Sequence, residues 1–209
     1  MSFTIAVANA KGGVGKSTIS MLLAASLCRH VSTVVADSDP QGTASLWAGL
    51  GHFPTDVVAV DDSNATAALG DLAKKFSAVV VDCPPNVDAP VMRAALGSAD
   101  LLLVPCAPEP ADAWATALLL ALCQSEYPHL PVLVVMNKVP VGTALGRETL
   151  AQIEGSWPTA KSRLGLRTSY KEALALGATL DAVKGRGGRQ ARDELTALAL
   201  EVMTKVSSL

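Results

Sequence analysis

A chain of 209 residues, half of them hydrophobic, can bury a sizeable core without disulfides or a structural metal, and residues 1–209 are expected to form one α/β domain. Only 4% of the residues are aromatic, so the apolar mass is Ala, Val and Leu, which suits buried parallel strands under closely packed helices and excludes a disordered or fibrous chain. The formal net charge of -2 excludes nucleic-acid binding through overall charge, so any such contact needs a local basic patch.

The chain opens with an apolar run, Phe3 to Asn9, that lacks the basic start of a signal peptide and breaks at Asn9-Ala10-Lys11. A glycine-rich turn follows, and Ser17 to Arg29 then reads as a helix. Strands are expected at Thr33–Ser38, Ala78–Cys83, Asp100–Cys106 and Pro131–Asn137, each a short β-branched or Leu-rich run ending in polar residues or Pro. Helices are expected at Gly42–Leu50, Ala65–Phe76, Ala89–Leu96 with Gly97 as its stop, and Asp112–Glu126. Alternating strands and helices imply a single doubly wound, mostly parallel sheet with helices on both faces, and ligands at the carboxyl ends of the strands. Gly185-Arg186-Gly187-Gly188 reads as a mobile loop.

The last helix, Asp193 to Val206, places Leu195, Leu198, Ala199, Val202, Met203 and Val206 on one stripe, as a helix packed on the sheet requires. Its other face carries Glu194, Glu201 and Lys205, unlike a basic amphipathic anchor, so no stable membrane anchor is expected. The longest apolar run, Ala113 to Cys123, is far shorter than the roughly 20 residues that span a bilayer. A cytoplasmic protein is therefore expected. Cys28, Cys83, Cys106 and Cys123 are widely spaced, which indicates neither zinc nor a disulfide framework and makes them reduced core residues.

Chemistry concentrates at Lys11-Gly12-Gly13-Val14-Gly15-Lys16-Ser17-Thr18, between the first strand and the first helix, where a phosphate-binding loop belongs. Gly12, Gly13 and Gly15 let backbone N–H groups turn inward around an anion, and the helix N-terminus adds its dipole. Lys16 would meet the β- and γ-phosphates of ATP, Ser17 supplies a hard oxygen for Mg²⁺, and Thr18 reaches the α-phosphate region. The alternative, a glycine-rich turn with incidental lysines, does not explain the complete Gly-Lys-Ser ending. Val79-Val80-Val81-Asp82 is an apolar strand ending in an acid, the arrangement that holds Mg²⁺, so Asp82 is a second metal candidate.

The loop has Ala10 where the ordinary pattern has glycine, and an additional lysine at Lys11. In this it resembles the deviant phosphate loop of the ParA/MinD ATPases. The resemblance implies that Lys11 reaches across a dimer interface to the partner's nucleotide, where a second cation would offset charge on the transferred phosphoryl group. Asp37-Ser38-Asp39-Pro40-Gln41 is similar to a box of the same family, which implies that Asp39 positions the attacking water near Mg²⁺ and that Asp37 supports the lysine or the metal shell. An Asx turn closed by Pro40 is the plainer reading. Asp82-Cys83-Pro84-Pro85 again matches family wording. In Asn137-Lys138-Val139-Pro140, proline occupies the place of a guanine-reading acid, which favours ATP over GTP, and the resemblance lays Asn137 against the adenine. Pro105 to Pro110 forms either a nucleotide-sensing loop at the dimer face or a simple corner.

Between Lys161 and Arg192 the chain is locally basic, with Arg163, Arg167, Lys171, Lys184, Arg186 and Arg189 opposed within the stretch only by Glu172 and Asp181. Such a patch suits contacts to DNA phosphates without sequence readout; a solvated charged face is the alternative. The resemblance points to DNA here too, through Arg167 to Ala173 followed by Gly177. It implies a homodimer that forms with ATP, coats nucleoid DNA and is discharged by a ParB-like or other cargo-bound activator. With no DNA-reading extension expected ahead of the phosphate loop, the chain resembles the family's short form. Two other readings stand beside this one: a MinD-like membrane switch, and a metabolic P-loop enzyme or iron–sulfur carrier such as the nitrogenase iron protein, for which Cys83 and Cys106 would have to serve.

Overall fold

The computed structural model describes residues 2–140, 151, 153 and 155–209. Its strands are β1 (Phe3–Val7), β2 (Thr33–Asp37), β3 (Asp56–Ala59), β4 (Ala78–Asp82), β5 (Leu101–Cys106) and β6 (Val132–Met136). They lie in the order β3-β2-β4-β1-β5-β6, every pair parallel. The helices are α1 (Lys16–Leu27), α2 (Thr43–Gly49), α3 (Ala65–Lys75), α4 (Pro90–Ser98), α5 (Pro110–Glu126), α6 (Thr168–Ala175) and α7 (Gly185–Ser207), with a 3₁₀ turn at Leu180–Ala182. The parallel α/β reading of the sequence is the architecture found.

Both faces of the sheet are covered, which is why its strands read as unbroken apolar runs. Alternate residues point to opposite layers. Ile5, Val35, Val80 and Leu103 pack with Ile19 and Leu23 of α1, Trp47 of α2, Tyr170 of α6 and Leu198 of α7. Ala6, Val34, Val79 and Leu102 pack with Leu69 of α3, Met92 of α4 and Leu119 of α5. The apolar stripe of the last helix is the face α7 turns inward, with Leu195, Leu198, Ala199 and Val202 buried.

Two expectations are corrected. Gly97 does not stop its helix: α4 continues to Ser98 and ends where Ala99 turns extended, ahead of Asp100, whose carboxylate accepts the Thr4 amide at 2.7 Å. Gly185 to Gly188 is not a loop but the first turn of α7. A Cβ on Gly188 would lie 2.3 Å from the Val183 carbonyl and one on Gly187 3.0 Å from Ser169 Oγ, so these glycines serve close packing. Strand β3 was not anticipated, because four mostly exposed residues at a sheet edge carry little pattern.

Candidate functional site

The phosphate loop leaves the carboxyl end of β1, the strand held between β4 and β5. Below it, Asn9 is fully buried and braces the loop: its Oδ1 accepts the Lys11 amide at 3.0 Å, while its Nδ2 donates to the Pro105 carbonyl at 2.8 Å and to Thr116 Oγ1 at 3.0 Å. Gly15 precedes α1 at φ 101, and a Cβ there would stand 2.2 Å from Asn137 Nδ2. Any other residue would carry both backbone strain and a collision. Asn137 in turn donates to the Val14 carbonyl at 2.7 Å, tying the end of β6 to the loop.

A cavity of about 450 Å³ opens along this loop. Its walls include Gly12, Gly13, Gly15, Lys16, Ser17 and Thr18 of the loop, with Asp39 and Asn137. Val14 is not in the wall: its side chain is buried and its carbonyl is taken by Asn137. The structure thus brings the predicted phosphate, carboxylate and base-side residues to one place. Lys16 is buried and donates to the Lys11 carbonyl at 3.1 Å, holding the loop in its curved form. Burial pushes its ammonium below the ordinary lysine range, although Asp82 and Asp39 pull the other way.

Two carboxylates lie side by side at the strand ends, since Asp37 and Asp82 are register partners in β2 and β4. Asp37 Oδ2 accepts the Ser45 amide at 2.8 Å and its hydroxyl at 2.6 Å, and Asp82 Oδ1 accepts the Ser20 hydroxyl at 3.2 Å. Their remaining oxygens, Asp37 Oδ1 and Asp82 Oδ2, are buried without a hydrogen-bond partner. Buried oxygens of this kind call for a positive partner. With the Ser17 hydroxyl they form a hard-oxygen donor set that fits Mg²⁺, an ion that takes one or two carboxylates and completes its shell with phosphate and water. Asp39 is half-buried and accepts the Gln41 amide at 3.0 Å, so the Asx turn and the cavity wall are the same residue.

Burial drives the Asp82 carboxyl up to about 7, and Asp37 adds to the shift, while hydrogen bonds from Ser17 and Ser20 and the Lys16 charge oppose it. Because the folded pKa is raised above 3.8, the stability it contributes is present at low pH and lost as pH rises through about 7. Asp82→Asn, without nucleotide and with a chelator, is therefore expected to raise Tm at pH 8 by roughly 4–8 °C, a gain that shrinks as pH falls below about 7 and vanishes only near pH 4. A thermal melt at the two pH values checks this.

Lys11 turns away from the cavity toward α5. Its ammonium pairs with Asp112, a deeply buried acid, and lies 3.9 Å from Glu109. The hydrogen bond to Asp112 raises the Lys11 pKa, against the lowering effect of burial. Neither Asn9 nor Asp112 stood out in the sequence; the one available signal was an acid inside an otherwise apolar helix.

The basic stretch divides in two. Arg167 and Lys171 line the cavity, and Arg167 is committed to Glu194 and Gln190. Arg192 points inward to the Leu180 and Val183 carbonyls. Arg163, Lys184, Arg186 and Arg189 are exposed. The cysteines are unpaired thiols, buried at Cys83, Cys106 and Cys123 and half-buried at Cys28. Among the described residues no group of three His, Cys, Asp or Glu side chains could hold a metal, and no helix is long and apolar enough to cross a membrane.

Residues 5–180 match the model of the CobQ/CobB/MinD/ParA nucleotide binding domain. The chain is 31% identical over 210 residues to the maintenance of carboxysome distribution protein A of Halothiobacillus neapolitanus, covering 97% of both. It is 25% identical over 215 residues to the protein ParA of Rhizobium radiobacter, again covering 97% of both. A McdA from Cyanothece solved in complex with ATP superimposes with a TM-score of 0.78 at 17% identity, over 99% of this chain and 96% of that one, a likeness of fold.

Proposed function

The chain belongs to the ParA/MinD family of nucleotide-binding ATPases, and from that premise we propose that it is an ATP-dependent dimerising switch that binds DNA without sequence preference and positions a protein assembly as cargo. The observation that carries the switch is the second lysine of the phosphate loop. Lys11 stands at the head of the loop, 35% exposed, in a pair with its own chain's Asp112, from which nucleotide and a second subunit could draw it. Lys16, Ser17 and Asp82 would hold the triphosphate and Mg²⁺, and Asp39 would orient the attacking water. Bound Mg²⁺ supplies charge neutralisation between the phosphate oxygens. Slow hydrolysis, speeded by a cargo-bound activator, would then end each cycle.

The carboxysome-distribution relative matches over almost its full length at higher identity than ParA, which favours a protein assembly over a centromere as cargo. DNA contact is assigned to Lys184, Arg186 and Arg189 at the start of α7, and to Arg163, which is exposed as they are. Three cations at a helix end that is already positive oppose the helix dipole, and a phosphate backbone would offset that repulsion. Nucleoid association would follow.

The reading is tested by measuring self-association and binding to duplexes of unrelated sequence with ATP, with ADP and without nucleotide. ATP-specific dimers that alone hold DNA are expected, and DNA binding indifferent to nucleotide would refute the switch. Changing Lys184, Arg186 and Arg189 together to alanine is expected to weaken DNA binding at least about tenfold and reduce the salt slope by roughly 2–3. Undiminished affinity at low salt would remove these residues from the interface.

A further inference from the structure

The end of the cavity away from the phosphate loop is built differently. It is walled by Gly165, Leu166, Tyr170 and Leu174 with the cations Arg167 and Lys171, and the Arg167 donors are turned to Glu194 and Gln190, so the leucines, the ring and the flat guanidinium offer surface on which a purine can pack. On one side backbone ties this wall to the end of β6 and the residues after it: Leu164 N donates to the Met136 carbonyl at 2.9 Å, Val139 N to the Leu164 carbonyl at 3.0 Å and Leu166 N to the Val139 carbonyl at 3.0 Å. On its other side, three groups converge on one carboxylate of α7. Glu194 Oε2 accepts the Gly165 amide at 3.0 Å and the Tyr170 hydroxyl at 3.0 Å, and both of its oxygens accept from Arg167 Nε, at 3.0 and 3.1 Å. A further Arg167 N–H reaches Oε1 at 2.5 Å, making the pair a two-pronged fork, and Gln190 takes a fourth Arg167 contact at 2.9 Å.

The pair is mostly shielded, with Arg167 and Glu194 side chains each 21% exposed, so it is worth more than a surface ion pair. The glycine is part of the arrangement, since a Cβ on Gly165 would stand 3.2 Å from Arg167 Nε and 3.3 Å from Glu194 Oε1. Burial pushes the Glu194 carboxyl up, but the Arg167, Gly165 and Tyr170 hydrogen bonds outweigh it and leave the group below its ordinary pKa, ionised and able to hold all three donors.

We propose that Glu194 is the positioning residue of the base end of the nucleotide site: by gathering Gly165, Arg167 and Tyr170 onto one carboxylate it fixes the wall against which the adenine packs, and so sets affinity for the base without acting on the triphosphate. The proposal rests on the nucleotide-binding reading above, and it places a role for base recognition on the same helix that carries Lys184, Arg186 and Arg189.

Two probes separate this role from a general structural one: Mg²⁺–ATP, which fills both ends of the cavity, and inorganic tripolyphosphate with Mg²⁺, which has no base. For Glu194→Gln, titration calorimetry is expected to show ATP bound roughly tenfold more weakly and tripolyphosphate bound within about twofold of wild type. Tyr170→Phe keeps the ring but removes one donor, and it is expected to shift ATP alone by about threefold in the same direction. Equal weakening of both probes, or an unchanged ATP affinity in both variants, would overturn the proposal. A wild-type protein that binds tripolyphosphate but gains nothing from the base would overturn it too, while leaving the phosphate loop intact. Wild-type protein that binds neither probe would overturn the nucleotide reading itself and this inference with it.

Discussion

Lys16→Ala is expected to abolish ATP binding. At a ligand concentration of about 100 Kd, nucleotide should stabilise the wild-type fold by roughly 2.7 kcal/mol, a Tm rise on the order of 5–10 °C, and the variant should show none of it. The physical reason is that Lys16 is the buried cation of the cavity, its ammonium aimed along the inner side of the phosphate loop. Amide N–H groups alone would leave most of the triphosphate charge uncompensated. Removing Lys16 also removes the positive neighbour of Asp82 and Asp39, so the nucleotide-free Tm should move as well. The quantity to compare is therefore the ATP-dependent increment within each protein, and an increment equal to wild type would end the assignment of the loop.

The second large effect is expected at Asp39, where alanine should leave ATP binding intact, lower hydrolysis at least about a hundredfold and accumulate the ATP dimer. Asp39 lines the cavity beside the loop and accepts the Gln41 amide through Oδ1, so that among the described residues its second oxygen is left for a water. Phosphate release together with size-exclusion chromatography in ATP and Mg²⁺ gives both halves of the prediction. Wild-type turnover by Asp39→Ala would refute the water-orienting role, and loss of ATP binding would show that the residue shapes the site instead.

What could be read in the sequence was whatever is local. The strands were legible because residues such as Val79, Val80 and Val81 are buried on both faces and need no alternation. The phosphate loop was legible because its glycines, lysine and hydroxyl lie in one contiguous octet. Pairings across the fold were not: Lys11 finds Asp112 101 residues away, and Arg167 finds Glu194 27 residues away. A run of positive charge likewise carries no direction, so Arg167, which is turned to Glu194, could not be told from Lys184 and Arg186, which face solvent. Gly185 to Gly188 misled for the same reason, since a glycine required by a neighbour's carbonyl looks in sequence like one required by a bend.

The two sides of the sheet are separate slabs of packing, α5 and its Asp112 belonging to one and α6 and α7 to the other. The octet after β1 reaches both, running into α1 of the second slab and touching α5 of the first through the Lys11 ammonium. A load placed on that hinge point is therefore felt by both slabs at once. Damage confined to either layer should leave the other's response to ligand in place, so hydrogen-exchange slowing on ATP addition would reach α5 and α7 together in the intact chain and only one of them in a variant cut off on one side.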